Sequence, residues 1–134
     1  MNTRAAALTF TAATGLAVAF QLALAAGAPW GAYAMGGAYP GQFSPPLRVV
    51  ALVQSAFLSG MAGVVLARAD VALPDWSRAA RRLIWGVVAI SALSLVMNLA
   101  TPSATERALW GPIALVLLVS SAWVALRQPA GHQA

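Results

Sequence analysis

The sequence predicts an all-α integral membrane protein, with four transmembrane helices forming an antiparallel bundle across residues 1–134 as a single domain. Three observations predict it. Of the 134 residues, 60% are hydrophobic and only 8% are charged, whereas soluble domains carry about 25% charge. All eight basic residues are arginines, and they punctuate the apolar stretches instead of interrupting them. The uncharged runs between them approach the roughly 20 residues a helix needs to cross a hydrocarbon core ~30 Å thick. None of these runs alternates polar and apolar residues as a barrel strand does. Because unpaired backbone groups are intolerable in lipid, helices are the only spanning structure left. The same composition excludes a disordered chain, which would be poor in apolar residues and rich in charge.

The first helix is expected at about 5–26, a charge-free stretch that breaks at Gly27-Ala28-Pro29. Arg4, the following apolar run and Ala23-Leu24-Ala25 also have the layout of a cleavable signal peptide. The run is long for a signal core and contains Thr9, Thr11, Thr14, Gly15 and Gln21, which favours a retained helix. A long outer loop, 27–46, follows. It is rich in glycine, proline and aromatic residues, and structureless connections of that length are uncommon and often functional. Ser44-Pro45-Pro46 then offers an N-cap with proline in the first turn of a second helix at 47–68. Within it, Ala51, Ser55, Ser59, Gly63 and Ala67 form a small-residue stripe suited to close helix contact. Asp75 is placed to cap a third helix at 76–99, with Trp76 at the depth of an aromatic belt. Ser103-Ala104-Thr105-Glu106 reads as a capping box opening a fourth helix at 104–127, in which Pro112 is expected to introduce a bend.

The arginines predict the orientation. With the N-terminus inside, Arg4, Arg68, Arg78, Arg81, Arg82 and Arg127 lie on the cytoplasmic side, and Arg48 and Arg107 lie outside. Six against two is a positive-inside bias, giving N-in, C-in. The formal charge of +5 is therefore read as orientation and attraction to anionic lipid, with no nucleic acid partner.

Candidate chemistry is sparse. The chain has no cysteine, which removes disulfides, thiolate metal sites and cysteine nucleophiles. The one histidine, His132, is in the C-terminal tail, and the carboxylates are only Asp70, Asp75 and Glu106. No metal, cofactor or catalytic set is expected from so few groups. No ionisable residue falls near the middle of a helix, which counts against proton pumps, proton-coupled antiporters and voltage sensors.

The informative feature is a concentration of polar and aromatic residues at the outer end. Gln21, Gln54 and Asn98 all fall in the outer half of their helices. They can line an outward-opening pocket with Arg48, Glu106 and Arg107 at its mouth and the first loop as a lid. Trp30, Tyr33 and Trp110 belong to the same face. The plainer reading of the amides is hydrogen bonding between helices, and that of Glu106 is a capping glutamate. Arg48 and Glu106 flank the outer ends of helices 2 and 4 and are candidates to pair.

These outer residues carry a resemblance. Gly27-Ala28-Pro29-Trp30-Gly31 through Gly36-Gly37, then Leu47-Arg48, then Asn98, Pro102-Ser103, Glu106-Arg107 and Trp110-Gly111-Pro112 look like a family of small bacterial membrane proteins of uncharacterised activity. The resemblance covers nearly the whole chain. It implies four transmembrane helices in a bacterial inner membrane with the characteristic residues outside, and it implies no catalytic role for any residue. The sequence thus points first to a binding or accessory protein with an outward-facing site for a lipid, a small hydrophobic ligand or a partner membrane subunit. A small oligomeric transporter or channel is the alternative, and a cofactor-free membrane enzyme the third reading.

Overall fold

The structure is a computed structural model that describes residues 2–127. His132 lies outside the described residues. Four helices account for most of the chain: α1 Thr3–Ala25, α2 Pro45–Arg68, α3 Ser77–Ala100 and α4 Ala104–Leu126. Each is 23 or 24 residues long, about 35 Å at 1.5 Å per residue, enough to cross a bilayer core. All four are also apolar enough to do so.

Local chemistry explains where the helices begin. Asn2 caps α1 by accepting the Ala5 amide at 2.6 Å. Pro45 opens α2 directly after Ser44, where its missing N–H costs nothing. Ser103 Oγ accepts the Glu106 amide at 3.2 Å and caps α4. The expected cap of α3 by Asp75 does not form. Asp75 lies in a single 3-10 turn, Pro74–Trp76, and α3 starts after Trp76 with no side-chain cap. A left-handed Leu73 (φ 55°) and the proline after it set that turn ahead of the helix, which moves Asp75 off the capping position. α4 runs through Pro112 without interruption.

The bundle is antiparallel, and α1–α2 and α3–α4 are its most extensive pairings. It is therefore two hairpins packed side by side. One end, the arginine end, gathers Arg4, Arg68, Arg78, Arg81, Arg82 and Arg127. The opposite end carries the 26–44 connection, Arg48 and the α3–α4 turn, and is called the loop end.

The core is concentrated towards the arginine end. Phe10 of α1, Val65 of α2, Ile84 of α3 and Val124 of α4 are fully buried and belong to one continuous cluster. Small residues let the helices approach there. A Cβ on Gly63 would lie 2.7 Å from the Trp76 ring, so one side of the indole is laid against α2 while the residue stays 45% exposed. Of the small-residue stripe, Ala51, Ser55, Gly63 and Ala67 are buried and Ser59 is exposed. Several buried hydroxyls donate to carbonyls of their own helix, Thr14 to Phe10, Ser55 to Ala51 and Ser121 to Leu117, whereas Ser91 Oγ has no partner among the described residues. A second, smaller cluster of Leu24, Phe43 and Ala51 holds α1, α2 and the loop together at the other end.

Candidate functional site

Towards the loop end the two hairpins separate and enclose a cavity of about 730 Å³. All four helices contribute to its wall. Gln21 of α1, Gln54 of α2, Asn98 of α3 and Glu106 and Trp110 of α4 line it, together with Tyr33 of the loop. Six of the nine residues expected at an outer site are thus brought to one cavity. Asn98 donates to the Ser94 carbonyl at 2.7 Å, within its own helix. The side-chain amides of Gln21 and Gln54 have no hydrogen-bond partner among the described residues. The interhelical amide bonding expected as the plainer reading is therefore not what these three residues do. Asn98 bonds within its own helix, and Gln21 and Gln54 line the cavity without a partner among the described residues.

The remaining three lie outside the cavity wall. Trp30 stacks on Phe20, with ring centroids 6.3 Å apart and planes 12° from parallel. Phe20 in turn meets Trp110 edge-on at 4.8 Å, so Trp30 supports the wall from behind. Arg48 does not pair with Glu106. Its Nε donates to the Phe43 carbonyl at 2.9 Å, and its guanidinium lies against Gly27. Arg107 donates to the Thr101 carbonyl. Both arginines satisfy nearby backbone acceptors where their helices begin, and this local bonding takes them away from the cavity mouth.

The loop closes the loop end of the cavity. It contains two 3-10 turns, Gly31–Tyr33 and Met35–Gly37, and closes on itself where the Gly31 amide donates to the Gly41 carbonyl at 2.9 Å. Gly31 is buried there, and a Cβ would stand 1.9 Å from the Tyr39 carbonyl oxygen, so only glycine fits. The loop then crosses to the other hairpin. Trp110 Nε1 donates to the Tyr33 carbonyl at 2.8 Å, and Gly36 (φ 69°) sits against Thr101 and Pro102.

The side of the cavity is open. Phe57 of α2 and Leu93 and Met97 of α3 line it while remaining 53%, 59% and 62% exposed. All three belong to α2 and α3, so the opening is a window between these helices, on the surface that meets lipid.

Glu106 is the one charged residue of the lining, and it is only 8% exposed. The capping box expected around it forms by half. Its amide donates to Ser103, but the Ser103 amide turns to the Thr101 hydroxyl at 3.4 Å instead of to the glutamate. The carboxylate is left to accept from Thr101 Oγ1 at 3.2 Å. Residues that sequence reasoning passed over include Phe20, Phe57, Leu93 and Met97, none of which carries a signal against an apolar background. Thr101, legible as a polar side chain of the outer turn, also joins the lining. Compared with known protein families, curated proteins and solved structures, the chain matches none.

Proposed function

We infer that this protein is a multi-pass protein of the bacterial inner membrane, N-in and C-in, that binds a lipid or small hydrophobic ligand in the cavity between its two hairpins. The observation that carries this reading is the cavity itself: about 730 Å³, largely apolar, and lined by the Gln21 and Gln54 amides, which have no partner among the described residues. Ligand sites are concave, mostly apolar clefts of roughly 300–1,000 Å³ with a few placed polar groups. An amide left without a partner in hydrocarbon costs free energy that a ligand or water recovers. Placing the loop end outside follows the arginine distribution, six at one end and two at the other. The bacterial membrane follows the resemblance of the outer motifs.

Transport through a single chain is less favoured, because Phe10, Val65, Ile84 and Val124 fill the bundle beyond the cavity. A channel would have to form between chains. An enzyme would need an acid and a base together, and Glu106 stands alone in the lining. The test is native mass spectrometry of the full chain extracted directly into lipid nanodiscs. A small molecule retained at one copy per chain supports binding. Retention of a second membrane subunit with an empty cavity assigns the accessory role, and a symmetric oligomer with no bound molecule favours the channel.

A further inference from the structure

The polarity of the cavity runs along the membrane normal. At its loop end stand Glu106, Thr101, Asn98 and Gln21, within about two turns of their helix ends, while its deep end is formed by Leu58, Ile90 and Leu117. From Glu106 to Leu117 is about 16 Å along α4 at 1.5 Å per residue. A cavity polar at one end, greasy at the other and open sideways to lipid matches an amphiphile lying parallel to the acyl chains.

The charge of its head follows from Glu106. A buried carboxylate facing apolar space needs a counter-charge or a full set of donors. This chain carries eight arginines, yet the two at this end bond to the Phe43 and Thr101 carbonyls, and among the described residues the carboxylate receives only the Thr101 hydroxyl. Trp110, about one turn along α4 from Glu106 in the same lining, adds an aromatic ring, and ring faces attract cations, not anions. We propose that the cavity selects a cationic amphiphile, an ammonium group on an apolar chain, with the ammonium at the Glu106 carboxylate and the chain along α4 towards Leu117. The assignment rests on the binding function inferred above. The ammonium can come from a lipid headgroup of the surrounding leaflet or from a free lipophilic amine. Either reaches the site through the α2–α3 window.

The test uses the full chain in phosphatidylglycerol nanodiscs, titrated with dodecylamine and with dodecanol while tryptophan emission is followed, Trp110 being in the cavity wall. The readout is the amine-to-alcohol affinity ratio of the wild type divided by the same ratio for Glu106→Gln, which cancels partitioning into the bilayer. A charge-assisted hydrogen bond exceeds a neutral one by enough to make that quotient about tenfold. Glu106→Asp, which keeps the charge, is expected to retain the preference. A quotient near one, with both probes still saturating, overturns the cationic assignment and leaves the cavity as a binding site. Saturation by neither probe overturns the binding reading itself. Should Glu106→Gln fail to fold, competition on the wild type decides: dodecyltrimethylammonium must displace dodecylamine, and dodecyl sulfate must not. Adding phosphatidylethanolamine to the discs separates the sources. A fall in the wild-type preference for amine identifies the headgroup, and an unchanged preference identifies a free amine, both upholding the site.

Discussion

Gly31 bears the closure of the loop, because the space its missing Cβ leaves is occupied by the Tyr39 carbonyl. Gly31→Ala is expected to cost about 1–3 kcal/mol locally by forcing the backbone apart. The helices pack elsewhere, so circular dichroism should remain helical while tryptophan emission shifts to the red as Trp110 loses the Tyr33 carbonyl. Unshifted emission with normal ligand affinity would mean that the loop is not a lid. Residue-scale chemistry also shows where sequence reasoning stopped. Arg48 and Glu106 flank the outer ends of α2 and α4, which suggested a pair, but these two helices lie on the diagonal of the bundle. A carbonyl five residues back in the chain is a nearer acceptor for the arginine than a carboxylate on another helix, and it wins. That competition depends on the path of the 26–44 connection, which no local pattern encodes.

At the scale of elements, the helices were legible because hydrocarbon thickness and the positions of charges bound them tightly. The expected ranges differ from the observed ones by two residues or fewer at every end. The site was legible only where it is polar. Gln21, Gln54 and Asn98 stand out against an apolar background, whereas Phe57, Leu93 and Met97 do not, since a wall facing a cavity and a wall facing lipid use the same side chains. The contact between α2 and the turn before α3 carries its own expected outcome. Gly63→Leu should drive the Trp76 ring off α2 and lower stability by about 1–3 kcal/mol, the usual cost of overpacking. Thermal unfolding in detergent measures it. Adding Trp76→Ala should recover much of the loss, and a double variant no better than Gly63→Leu alone would show that the strain lies elsewhere.

At the scale of the whole molecule, a chain without cysteine is a clean background for placing single thiols. With the loop end outside, Ala38→Cys should react with an impermeant maleimide on intact spheroplasts and Ala72→Cys only after lysis, both positions being exposed. The opposite pattern would invert the topology. The window can be probed in the same background. Phe57 and Ile90 lie at similar depth, about 18 and 15 Å from the loop-end termini of their helices at 1.5 Å per residue. Joining Phe57→Cys to Ile90→Cys with a short bifunctional reagent should slow ligand exchange severalfold and leave the helical content unchanged. The loop is held to its own hairpin by the Leu24–Phe43–Ala51 cluster and to the other by Tyr33–Trp110, while no hydrogen bond joins α2 to α3 among the described residues. On the binding function proposed above, a site capped by the loop and open towards lipid would sample composition within one leaflet, so half-saturation should stay constant when expressed as ligand per lipid and drift in proportion to total lipid when expressed as molarity.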